Sequence, residues 1–149
     1  MEEAKKEYSF DGTYNYSIDQ RKRVFIPAEF RNDLGDEFIV CTPLGGGKCV
    51  VVYPIEEWDK YYAKVQATFT GINRTMAERY LSSNKKRVVA DKQGRITLTE
   101  DFCKTAELLK DAKIVGVSNR IEIWNPDNWQ AELDKFCAEN AELFKNLSL

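Results

Sequence analysis

Twelve residues, Asp19 to Phe30, constrain this chain most, because they return 72 positions later as Asp91 to Phe102. Asp19/Asp91, Arg23/Arg95 and Phe30/Phe102 are identical, while Val24/Ile96, Ile26/Leu98 and Glu29/Asp101 recur in kind. The segments downstream of the two copies also correspond. Ile39-Val40 and Ile114-Val115 open similar apolar runs, and Tyr53…Trp58 recurs as Trp124…Trp129 with the same spacing. A turn, an apolar segment, a helix start, a strand pair and a Trp-bearing helix therefore occur twice in order, the mark of a duplicated unit. Units of about seventy residues are marginal alone. The two are expected to share one core.

Periodicity gives the elements. Tyr14, Tyr16 and Ile18 alternate with polar residues, as in a half-buried strand. Val24-Phe25-Ile26 is extended, Ala28 to Leu34 forms a short helix after Pro27, and Gly35 closes it as a left-handed cap. Phe38–Thr42 and Cys49–Tyr53 are strands joined by a flexible hairpin loop, 43–48, and Pro54 opens a helix with Trp58, Tyr61, Tyr62 and Val65 on its apolar face. A bridging helix runs from an Asn73 cap to Leu81. Lys86–Ala90, a turn and Arg95–Leu98 then restate the first unit, and Thr99 caps a helix from Glu100 to about Leu109. Lys113–Val117 and Ile121–Trp124 are strands. Asn125-Pro126 opens a long helix with Trp129, Leu133, Phe136 and Cys137 on one side, a stripe for core or subunit contact. The expected organisation is an N-terminal tail (1–9), repeat one (13–57), a helical linker (58–84), repeat two (86–129) and a C-terminal helix (130–149) whose far end frays.

Composition excludes several function classes. There is no histidine to act as a base, and Gly45-Gly46-Gly47 joins two strands, so it cannot cradle a phosphate at a helix start. Glu56-Glu57 and Asp134/Glu139 read as solvated helix faces, which leaves no catalytic candidates; the chain is read as a non-enzyme without cofactor or small-molecule substrate. The four cysteines form no Cys-x-x-Cys pair, so no metal site is expected; Cys41 and Cys49, which could face each other across the hairpin, read as packing residues. No segment approaches the roughly 20 apolar residues of a membrane span, and the first residues lack a signal peptide's apolar region. A cytoplasmic protein is expected. Net charge is −2, but five acids against two bases from Pro126 onward leave the remainder about +1, concentrated at Arg21-Lys22-Arg23 and Lys85-Lys86-Arg87. Screening over roughly 8–10 Å keeps that local field distinct from an acidic tail.

In each Asp-x-x-x-Arg turn the carboxylate can accept from backbone N–H groups two or three residues on, and can hold the arginine in a fork-like pair. A hairpin stapled by an exposed ion pair gains only about 0–1 kcal/mol. The other reading is a rigid loop that presents Arg and neighbouring cations to an anionic partner.

Phe10-x-Gly12-x-Tyr14 leading to Ile18-Asp19-x-x-x-Arg23, then Ile26-Pro27-Ala28 and Tyr53-Pro54-x-x-x-Trp58, resembles the MraZ family. So do Asp91-x-x-Gly94-Arg95-Ile96, Val115-Gly116-Val117 and Ile121-Glu122-Ile123-Trp124. The resemblance implies a mixed α+β, β-rich fold: two tandem swapped-hairpin units of the SpoVT-AbrB type in one pseudo-twofold body with flanking helices. It also implies a closed ring of identical chains, nucleoid association, and repression of a division and cell-wall promoter through double-stranded DNA. Carried over by position, Asp19, Asp91 and Gly94 organise the loops, and Arg21, Lys22, Arg23, Lys92 and Arg95 contact DNA. Lys22 stands where the family usually has Gly, and Glu100-Asp101 adds negative charge after the second loop, so the first loop is expected to bind more strongly. Two alternatives are an AbrB-like antitoxin repressing a toxin-antitoxin operon and an oligomeric interaction module with no nucleic-acid role.

Overall fold

The computed structural model describes residues 7–147. The first unit comprises β1 (Thr13–Ser17), β2 (Arg23–Phe25), α1 (Ala28–Leu34), β3 (Glu37–Cys41) and β4 (Cys49–Pro54). Two helices, α2 (Ile55–Thr68) and α3 (Gly71–Ser83), lead to the second: β5 (Lys85–Val89), β6 (Arg95–Thr97), α4 (Glu100–Thr105), β7 (Asp111–Val117) and β8 (Arg120–Trp124). The chain ends in α5 (Pro126–Glu139) and α6 (Ala141–Lys145).

The units exchange strands. β1 pairs with β7 of the other unit, β5 pairs with β3, and β4 meets β8 at the centre, all antiparallel. The resulting order, β1-β7-β8-β4-β3-β5, reads the same from either edge once each strand is replaced by its repeat. β2 and β6 form a separate two-stranded ribbon. Neither unit could bury its apolar face alone. Val24 and Ile96 sit opposite each other in the ribbon and enter one cluster with Phe30, Phe38, Phe102, Ile114 and Ile123. The other sheet face packs Ile39, Cys41, Val51 and Tyr53 against Trp58, Val65, Ala77 and Leu81 of α2 and α3. Both faces of β4 are thus covered, which is why its run Cys49–Pro54 is apolar throughout and shows no alternation.

Several elements depart from the expectations. Residues 1–6 and 148–149, and with them most of the expected tail and the fraying end, lie outside the described residues. Tyr8 stacks on Phe10 at 5.8 Å and donates to Glu56. Helix α3 starts at Gly71 with Thr70 at its cap, not at Asn73. Helix α4 stops at Thr105, because Glu107 turns at φ 54° and drives Leu108 into the core. Gly35 has the expected positive φ of 82°, but its ψ of −176° is extended, a combination only glycine adopts readily. Glu57 is buried, bonded to Lys60 and Asn119, so that pair of acids is only half solvated. Cys41 lies opposite Val51 and Cys49 opposite Trp124, so the two thiols do not face each other. Burial pushes the Cys41 thiol up to about 12. The long C-terminal helix breaks at Asn140, and of its stripe Trp129 packs against a sheet residue, Trp124, with the rings tilted and 5.7 Å apart.

Candidate nucleic-acid interface

The two Asp-x-x-x-Arg turns match bond for bond. In the first, Asp19 Oδ1 accepts from the N–H groups of Arg21 and Arg23, both at 2.9 Å, and Oδ2 accepts from Arg23 Nε at 2.7 Å. In the second, Asp91 Oδ1 accepts from Gln93 and Arg95, both at 2.9 Å, and Oδ2 from Arg95 Nε at 2.8 Å. Backbone bonds from Lys22 to Asp19 (3.0 Å) and from Gly94 to Asp91 (2.9 Å) close the turns. The carboxylate therefore reaches residues two and four on, and it holds the guanidinium by Nε alone instead of by a fork. That difference has chemical weight. A fork would occupy the amino groups that read phosphates or base edges, whereas binding through Nε fixes the plane and leaves both Nη groups to a partner.

Where the arginines stand follows from the ribbon. Arg23 faces Thr97 and Phe25 faces Arg95 across the strands, with Val24 and Ile96 between them. Side chains alternate along a strand, so burying Val24 and Ile96 forces Arg23, Phe25, Arg95 and Thr97 onto the open face. The two arginines are diagonal neighbours, roughly 7–8 Å apart at Cα. Sequence reasoning treats the loops as two separate contacts; the ribbon makes them one surface. Arg95 also lies over the Phe25 ring at 6.0 Å, a prop the first loop lacks because Thr97 occupies the matching place.

The remaining cations distribute unevenly. Arg21 and Lys92 are exposed on the turns. Lys22 adopts φ 60°, matching Gly94 at φ 83°, so the residue in the glycine position does take the left-handed conformation, at a cost of about 1 kcal/mol. Its ammonium lies 3.4 Å from Glu100. The acid expected to weaken the second loop thus sits on the first, because α4 packs across the twofold axis.

Hydrogen bonds hold both loop carboxyls below the ordinary carboxylate range. The largest contribution is the backbone N–H of Arg23 or Arg95, followed among the bonds by that arginine's side chain and the N–H two residues on; desolvation opposes them. A depressed pKa contributes order that is present above the unfolded value and lost as pH falls through the folded one. With no histidine in the chain, loop order and any anion binding it supports are expected to stay flat from about pH 8 to pH 5 and to fail only below about pH 4. Amide shifts of Arg23 and Arg95 followed by NMR through an acid titration check this; a midpoint near neutrality would contradict it.

Among the described residues no group of His, Cys, Asp and Glu is arranged to hold a metal ion, and no helix is long and apolar enough to cross a membrane. The family described as "MraZ protein, putative antitoxin-like" matches residues 9–80 and again 82–147, one match for each unit. The chain belongs to the MraZ family. Among its relatives, Transcriptional regulator MraZ of Lactobacillus johnsonii is 40% identical over 121 residues, covering 80% of this chain and 83% of the relative. That of Natranaerobius thermophilus is 36% identical over 140 residues, 93% of this chain and 94% of the relative. The corresponding regulator of Halothermothrix orenii is 37% identical over 126 residues, 84% and 87%. The break between the matches, at residue 81, falls inside α3, so each MraZ match spans one complete turn, ribbon strand and hairpin.

Proposed function

We propose that this chain is a DNA-binding transcriptional repressor that recognises short promoter repeats through the arginine face of the β2–β6 ribbon. The observation that carries the reading is the pairing of Arg23 and Arg95 on one open face, each fixed through Nε by its own aspartate. Relatives named as transcriptional regulators support it. Preorganised guanidinium groups match phosphate oxygens or the O6 and N7 of guanine, each good base contact being worth about 1–3 kcal/mol. One ribbon reaches few groups, so a single chain binds weakly. A closed ring of identical chains would present several ribbons to regularly spaced half-sites and raise affinity by effective concentration. In this reading the chain works in the cytoplasm at the nucleoid. Its targets are its own promoter and the division and cell-wall genes behind it.

The test is footprinting of the intact protein on DNA upstream of its own gene. Short protected repeats at regular spacing are expected, with affinity falling steeply with salt, by about 0.9 in logarithmic slope per phosphate neutralised. Equal, unpatterned retention of scrambled DNA would instead favour an interaction module with no operator. An antitoxin would share the DNA contacts and add a toxin partner.

A further inference from the structure

We infer that Arg31 is a further DNA-contacting residue, delivered to the second loop by α1 across the pseudo-twofold axis, in the place that the Lys22 side chain takes at the first. This inference rests on the DNA-binding reading of the ribbon face. Lys22 and Gly94 are equivalent in backbone conformation and bonding. Both have left-handed φ, both N–H groups donate to the loop aspartate's carbonyl, and both carbonyls accept from the opposite strand, from Leu98 at 2.8 Å and from Ile26 at 2.9 Å. They differ in what fills the cleft between the loop and the other unit's short helix. At the first loop the cleft holds the Lys22 chain, which ends on Glu100 of α4. At the second the loop supplies no side chain, and the guanidinium of Arg31 occupies the space: a Cβ on Gly94 would lie 2.1 Å from Arg31 Nη1 and 2.6 Å from its Cζ.

A cation therefore enters each cleft, supplied by the loop in one case and by the helix in the other. Repeat equivalence places Cys103 where Arg31 stands and Ala28 where Glu100 stands, so the exchange is specific to this chain's two halves. Arg31 Nε is buried and unbonded, and among the described residues no carboxylate lies at ion-pair distance from the guanidinium, although Asp36 and Asp91 line the same hollow. Arg31 as a whole is half-buried, and a guanidinium held by packing alone has donors free for an anionic oxygen, its planar fork suiting a phosphodiester. The consequence reverses the expected ranking of the loops. Lys22 already has a carboxylate beside it while Arg31 has none, so the second loop contacts the backbone at least as strongly as the first.

The experiment measures binding of the full-length protein to a duplex from upstream of its own gene, over a salt series, for Arg31→Met, Arg31→Lys and Arg95→Ala. Arg31→Met is expected to weaken binding roughly tenfold at about 0.1 M salt and to shorten the salt slope by about 0.9. Arg31→Lys is expected to keep the slope, and both to keep the parent's melting midpoint and elution volume. An unchanged slope for Arg31→Met overturns the inference, whether affinity is retained (no contact) or lost (a merely structural brace). If Arg95→Ala also binds like the parent, the ribbon face itself is wrong; if Arg95→Ala fails while Arg31→Met keeps its slope, only the role of Arg31 falls.

Discussion

The Arg23→Ala, Arg95→Ala double variant is expected to lose affinity for upstream DNA on the order of 100-fold or more, while melting and eluting like the parent. Two preorganised contacts of about 1–3 kcal/mol each are removed from the face. The fold has little stake in either. Both ion pairs are partly exposed, with arginine side chains 28% and 22% accessible, and such pairs contribute about 0–1 kcal/mol. The aspartates keep their two backbone donors after the change, so the turns persist. Electrophoretic shift assays beside calorimetric melting read both quantities. Unaltered shifts in the double variant would remove the ribbon from consideration, whatever the family of the chain.

A larger effect on the fold is expected from Gly116→Ala, in the six-stranded sheet and outside the ribbon. Gly116 lies in β7 where the chain before β1 crosses it, and its N–H donates to the Gly12 carbonyl at 2.8 Å. An added Cβ would stand 2.5 Å from the Asp11 nitrogen and 2.8 Å from its Cα and carbonyl carbon. These are backbone atoms, so no rotamer change relieves the overlap. The segment must lift, breaking the paired bonds between Phe10 and Ser118 and unseating Phe10, which is 3% exposed and meets Phe30 edge-on at 5.6 Å. Overpacking and the partial loss of a buried aromatic together cost about 2–4 kcal/mol, a fall in melting midpoint of roughly 10 °C for a chain this size. A midpoint within a degree or two of the parent would show that the N-terminal crossing contributes little.

Much of the local structure is legible in the residues. Thr99 caps α4 by accepting from Phe102, and Asn125 caps α5 by accepting from Asp127 and Asn128, as side-chain chemistry at a helix start requires. The turns are legible for the same reason: an aspartate's hydrogen bonds reach only residues close in sequence. Other features are invisible there. The early start of α3 at Gly71 runs against helix propensity, and the tuck of Leu108 takes it into the core that both units share. The stripe that carries Leu133 and Phe136 has the periodicity of a core or subunit-contact helix, yet both of these side chains stay exposed in the single chain.

The duplicated unit, its paired Asp-x-x-x-Arg turns and the arginines those turns hold are all readable from the residues alone, because each depends on neighbours a few residues apart. The exchange of strands between the units and the shared face of Arg23 and Arg95 emerge only once the chain is folded. The same holds for Glu100 against the first loop and Arg31 against the second. Those placements join residues about seventy positions apart through strand pairing and a shared core, and no local chemistry encodes which half will supply the charge.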